Sequence, residues 1–432
     1  MSGDTAWILA STALVLLMVP GLALFYGGMV RSKNVLNMLN MNFYCLGIIP
    51  LVWVVVGMSI ANGNADNEWL GFLHFDEAFM RLPEGAEPRD MATWAFLLTF
   101  AVITPALISG AVADRMKFSA WMLFVPLWSI LVYSPVGFWI YNGWAHALPA
   151  YDTAGGTAIH INAGAGALAL ALVLGKRKGW PEQGWAPHNM PLVLLGTGIL
   201  WFGWFGFNSG AQGAAPQALA NTFLAGAAGM IAWTFAEVIK EGKATTLGMC
   251  SGVVAGLVAI TPAATFVGTM SSIVFGLAAG VICFFAIGLK ERLGYDDSLD
   301  VVGIHMVGGI IGGLLIGLFA NSDAVPGNDF DLEASGQLLW NQFISIVVVI
   351  AYSFIVTYLL AKVLDKTIGL RVTDAEEQEG LDTALHAESA YSDSPGMHRV
   401  SVAQASPSTG QAKAEAATID LDTAESTETT NS

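Results

Sequence analysis

Charge is what this sequence has least of: only 12% of its 432 residues are Asp, Glu, Lys or Arg, about half the share in a soluble domain. It has no basic cluster, which removes the electrostatic reason to expect a nucleic-acid partner. Cysteine is scarce too. Cys45, Cys250 and Cys283 each fall inside an apolar run with no metal-ligand spacing. They read as small packing residues, and neither a disulfide framework nor a zinc site is expected. No positive charge precedes the first apolar run, because Met1–Thr5 carries only Asp4. That run therefore lacks the basic start of a cleavable leader and is expected to stay as a helix.

What is abundant is apolar. Hydrophobic residues make up 54% of the chain and there are 48 glycines, a composition suited to helices that pack closely in lipid. Apolar runs lie near 6–29, 41–61, 93–113, 119–144, 157–175, 191–208, 218–238, 245–261, 266–288, 300–320 and 338–363. Most are about as long as a bilayer requires. The expectation is an all-α membrane protein with eleven transmembrane helices, built to pass a small polar solute.

The basic residues orient it. Fourteen Lys and Arg, from Arg31 and Lys33 to Lys366 and Arg371, fall in alternate connections and after the last run, against Arg81 and Arg89 on the other side. The positive-inside rule then puts the N-terminus outside and the C-terminus in the cytoplasm. The net charge of −16 is concentrated late, since the residues from Val372 onward hold twelve acidic groups against Arg399 and Lys413. From about Ser392 the chain is rich in Ser, Thr, Ala and Glu, and 392–432 reads as a disordered acidic tail. The external loop around Gly63–Asp90, with seven acidic residues, is expected to pack over the outer mouth.

Two segments repeat. Asp152 stands eight residues before His160 at the start of the fifth run, and Asp297 stands eight before His305 at the start of the tenth. An Ile precedes each His and Gly-rich sequence follows. Five spans separate the copies, so they would lie inverted in the membrane, giving two five-helix inverted repeats (spans 1–5 and 6–10) plus a final helix. Leu24–Val30 in the first run and Trp201–Gly210 in the sixth share an aromatic, Gly-rich character. A histidine at membrane depth is costly unless paired or facing a cavity. His160 and His305 are therefore expected to meet near the repeat axis and share one N–H···N bond, leaving one donor and one acceptor for a solute. For a single histidine, ordinary satisfied packing is the competing explanation. Asp152 is placed to cap the amides that open its helix, and its charge could also favour a cation near the outer mouth.

These motifs resemble the ammonium transporter (Amt/Mep/Rh) family, and the chain looks like a prokaryotic Amt-like member. The resemblance rests on Asp152 through Gly164, Gly203-Trp-Phe-Gly-Phe-Asn208, Asp297 through His305, and Cys250-Ser-Gly with Thr261-Pro-Ala. It runs from about Trp7 to Tyr391 and implies a homotrimer in the cell membrane, with one pore per subunit for ammonium or ammonia and methylammonium as an analogue. It implies no cofactor, no metal and no enzyme activity. It maps a phenylalanine gate onto Phe100 and Phe207, a recruitment vestibule onto Tyr141, Phe96, Ala211 and Asp152, and the pore pair onto His160 and His305. Two positions depart from the family. Tyr141 stands where a Trp is usual, with Trp139 and Trp144 close by, and Ala211 stands where a Ser is common. Both weaken an external cation site, with an affinity tending toward the Rh branch. The resemblance also makes 1–371 the transmembrane domain. It makes 372–391 a cytoplasmic regulatory segment, with Arg371, Glu376, Gly380 and Asp382 as its marked residues and a PII-type signal protein as a possible partner.

Two rivals remain at this point. An ammonium sensor with little flux would signal through the C-terminal segment. A membrane metalloenzyme would use both histidines as ligands, with Asp152 or Asp300 as the third.

Overall fold

The computed structural model describes residues 2–81, 85–210, 214–325 and 332–391. The expectations for Ala211 and for the tail 392–432 lie outside those residues. Every apolar run in the sequence becomes helix: α1 (Gly3–Met29), α2 (Val35–Asn62), α3 (Pro88–Val112), α4 (Phe118–Ala147), α5 (Gly156–Leu174), α6 (Met190–Ser209), α7 (Ala215–Glu241), α8 (Thr246–Ile260), α9 (Thr269–Leu293), α10 (Val302–Phe319) and α11 (Gly336–Thr367). Two short helices follow, α12 (Asp374–Glu379) and α13 (Leu381–His386). Among the described residues there is no strand beyond two isolated bridges.

Ten of these helices are long and apolar enough to cross a membrane, one fewer than the eleven spans expected. The difference is α8, whose 15 residues reach only about 22 Å at 1.5 Å per residue. Thr261 still holds helical angles, but Pro262 has no N–H to continue the ladder, and the chain runs on as turns and a bend through Val267. In α2 and α4 a proline widens the helix rather than ending it. Pro50 in α2 and Pro126 in α4 each precede a π-helical turn, Trp53–Gly57 and Ser129–Tyr133. Proline frees a carbonyl in the turn before it, and a wide turn accommodates the displaced ladder.

Small residues set how the helices pack. α1 lies along α6, α7 along α8 and α9, and α5 along α11. A Cβ on Gly256 would sit 2.1 Å from the Ala225 carbonyl oxygen, so the backbones of α7 and α8 touch where any side chain would part them. Leu16, Leu17, Phe202, Phe235 and Leu359 stay exposed on the outside, as lipid-facing positions of apolar helices would. The three cysteines are buried and unpaired.

At the α2–α3 end, the loop packs against the ends of α2 and α4. Trp69 stacks on Trp144 at 4.8 Å, Trp139 Nε1 donates to the Trp69 carbonyl at 2.9 Å, and Asn62 Nδ2 donates to Glu77 at 2.7 Å. At the opposite end the C-terminal segment lies on the chain's own loops. Lys117 N–H donates to the Leu370 carbonyl at 2.8 Å and Val372 N–H to that of Arg115 at 3.1 Å. Beneath it Arg177 makes a fork to Asp296, with Nε 2.9 Å from Oδ2 and Nη2 2.8 Å from Oδ1. Burial works against the Asp296 charge, yet Arg177 and Arg115 hold its carboxyl below the usual range.

Candidate functional site

Asp152 starts the site. Its Oδ1 accepts from the N–H groups of Gly155 and Gly156, both at 2.8 Å, and its Oδ2 from those of Thr157 at 2.8 Å and Ala158 at 3.0 Å. Four donors on one side chain fit a carboxylate, which only accepts. Burial raises its pKa and the four amides oppose that rise. Gly155 holds φ at +106° with an ideal Cβ position 2.4 Å from Ile159 Cδ1, so the turn under the carboxylate needs glycine. Both Asp152 oxygens are engaged, and the side chain faces the helix start rather than the vestibule described below.

The opening turn of α5, Gly156–Ile161, is π-helical and carries His160; that of α10, Val302–Met306, is π-helical and carries His305. The second copy is capped by Asp297, whose Oδ2 accepts from Val302 N–H at 2.7 Å. Wide turns re-aim side chains relative to a regular helix, and both do so here toward the same point. Gly164 lets the helices approach, since a Cβ there would lie 2.5 Å from Met306 Cβ. The two imidazoles meet with Nδ1 atoms 3.2 Å apart and ring planes 18° from parallel. One Nδ1 must carry the proton and the other accept it. His160 also stacks on Trp204 at 5.4 Å. Trp204 Nε1 donates to Thr261 Oγ1 at 2.8 Å, and that hydroxyl donates to the Leu257 carbonyl at 2.8 Å. His160 Nε2 is buried without a partner.

The rings face a lumen walled by Leu22, Ile103, Leu107, Leu200 and Val254, with a free volume of about 10 Å³. That admits about one water-sized molecule. Phe207 lies over His160 at 6.0 Å, Phe100 over Phe207 at 4.4 Å and Phe96 beside Phe100 at 4.7 Å. Beyond them opens a cavity of about 600 Å³ lined by Trp53, Phe96, Phe100, Tyr133 and Tyr141. The Tyr141 hydroxyl is buried without a partner. The structure thus brings Tyr141, Phe96, Phe100, Phe207, His160 and His305 along one path and leaves Asp152 beside it.

Sequence reading missed three parts. Trp204 lies three residues before Phe207, one helical turn away on the same face, and that spacing was available. Trp53 and Tyr133 enter the cavity from the wide turns of α2 and α4, where simple periodicity breaks. In the C-terminal segment Arg371 pairs with Glu377 at 2.7 Å, while Glu376 turns back to cap its own helix at Thr373. Gly380 takes φ +115° between the two short helices. Asp382 Oδ1 accepts from Asn37 N–H at 2.8 Å.

The family model described as Ammonium Transporter Family matches residues 6–391. A protein named "Ammonium transporter" from Mycobacterium tuberculosis (strain ATCC 25618 / H37Rv) is 48% identical, the alignment covering 90% of each chain. One of the same name from Bacillus subtilis (strain 168) is 43% identical, covering 91% of this chain and 99% of its own. Among solved structures, Candida albicans Mep2 aligns with a TM-score of 0.79 at 32% identity, over 86% of this chain and 87% of its own. A "Sensor Amt Protein" aligns with a TM-score of 0.82 at 28% identity, over 88% of this chain and 97% of its own.

Proposed function

Because the chain belongs to the ammonium transporter family, we propose that it carries ammonium across the cell membrane by transferring its proton to an imidazole nitrogen of the His160/His305 pair and passing neutral ammonia along the apolar lumen. One observation carries this reading: a hydrogen-bonded imidazole pair, with Nδ1 atoms 3.2 Å apart, in a lumen with otherwise apolar walls and room for about one small molecule. An ion at the centre of a bilayer costs about 2.5–3.5 kcal/mol on insertion scales. Neutral ammonia avoids most of that cost. Potassium, similar in size to ammonium, has no proton to lose, so the same lumen excludes it. Ammonium gathers in the vestibule against Tyr141 and Phe96. Asp152 contributes indirectly by fixing the first turn of α5. The solute then passes Phe100 and Phe207 and reaches His160 and His305.

The same proposal takes α1–α11 as eleven spans over 1–371, α8 being completed by the turn to Val267. The N-terminus lies outside and the C-terminus in the cytoplasm, with α1–α5 and α6–α10 as inverted repeats. The matched construction of the two histidine turns supports the repeat. The chain works as a homotrimer, and 372–391 is its regulatory segment, where Arg371, Glu376, Gly380 and Asp382 hold the surface offered to a PII-type protein. A second reading, ammonium sensing with little flux, draws support from the likeness to the protein described as a sensor.

Purified protein in proteoliposomes on a solid-supported membrane separates these. After an ammonium jump, a current absent with potassium and with protein-free liposomes is the expected result for charged transport. An internal pH rise faster than bare lipid allows, without current, would mean neutral passage. Neither signal would sink transport and leave sensing.

A further inference from the structure

The vestibule has one acidic and one basic side chain among its described lining residues, Asp4 and Arg89. Each sits in the first turn of a helix, Asp4 in α1 and Arg89 in α3. The helix dipole favours the anion there and opposes the cation, so Arg89 stands where helix stability would not put it. Their contact does not explain its presence either. Arg89 Nη1 and Asp4 Oδ2 are 4.0 Å apart, with the side chains 61% and 76% exposed, a geometry that stabilises little. Asp90 and Glu87 beside Arg89 are engaged in the helix cap, Glu87 N–H donating to Asp90 Oδ2 at 2.9 Å. Among the described lining residues the rest are uncharged, a mixture of aromatic, small and polar side chains. A cation entering the cavity therefore meets one fixed positive and one fixed negative charge, which cancel only while both are present.

We propose that Asp4 and Arg89 form a charge-balancing pair that sets the concentration of cationic substrate in the vestibule. Arg89 holds the mouth less attractive to a cation than Asp4 alone would make it, and Asp4 keeps it from becoming repulsive. The pair acts on monovalent cations as a class and through the field, so neither residue touches the reacting atoms. This inference rests on the transport reading above.

The test is the half-saturating ammonium concentration of proteoliposomes carrying wild type, Asp4→Asn, Arg89→Gln or the double variant, at about 10 mM and 300 mM NaCl. Coulomb interaction within a cleft and the change of Debye length between those salts give the expected pattern. At low salt Asp4→Asn raises half-saturation roughly two- to fivefold and Arg89→Gln lowers it by a similar factor. At high salt both shifts shrink toward none, the double variant stays near wild type, and saturating flux changes little. Single variants that do not move half-saturation at low salt, or shifts of full size at high salt, overturn the proposal. Wild type without current or internal pH change fails the transport reading itself, whereas a transporting wild type with unmoved variants fails this inference alone.

Discussion

Asp152→Ala is expected to abolish ammonium flux and to lower stability by about 4 kcal/mol or more. The residue is buried and its two oxygens accept from four backbone N–H groups of the first turn of α5. An unsatisfied buried donor costs about 1–3 kcal/mol, and four orphaned together would rather unwind the turn than stay in place. That turn carries His160, so the loss of stability and the loss of flux share one cause. Asn is the informative control. Its carbonyl can still serve Gly155 and Gly156, but its amide nitrogen would face the Thr157 and Ala158 N–H groups donor to donor. Asn should therefore rescue only part of the effect on either measure. Thermal unfolding in detergent, read by intrinsic fluorescence, and flux in proteoliposomes check both. An Asp152→Asn protein that melts with wild type and transports at its rate would remove the carboxylate from the account.

Hydropathy made nearly all of the fold legible because membrane helices must satisfy their own backbone and so announce themselves by length. Its errors have local reasons. The second run was expected from 41, whereas α2 starts at Val35. Asn37 and Asn40 lower the hydropathy there, yet Asn37 is buried, held by Asp382 and His386 of the C-terminal segment. The eighth run is the one whose helix is shorter than a span, because Pro262 cannot donate to the ladder after Thr261. In the site, the equal Asp-to-His spacing was visible because it is a distance along the chain. The π-helical turns were not, since their wide backbone leaves no mark in residue spacing. Glu376 and Glu377 are indistinguishable as adjacent acids. Only folding shows that Glu377 reaches Arg371 while also accepting from Lys178 N–H at 2.8 Å.

The histidines should show the second large effect, and it is one of kind as well as size. His160→Ala and His305→Ala are each expected to lower saturating ammonium flux at least tenfold. A general base placed at a proton transfer is worth about 10²–10⁴-fold, and part of that is retained by the remaining ring. Truncation also leaves the other Nδ1 buried without its 3.2 Å partner, at a cost of about 1–3 kcal/mol, so that ring is no longer held in line with the lumen. Trp204 stacks only on His160 of the pair, which makes His305→Ala the milder change. His160→Asp tests the selectivity argument directly. A carboxylate in the lumen would stabilise a cation that keeps its charge and would draw water in behind it, so potassium should now carry current where wild type passes none. Solid-supported-membrane currents after ammonium and potassium jumps, with melting curves to confirm folding, read all three variants. If the alanine variants transport at the wild-type rate and His160→Asp still excludes potassium, the pair is packing, and selectivity must arise above it, at Phe100 and Phe207.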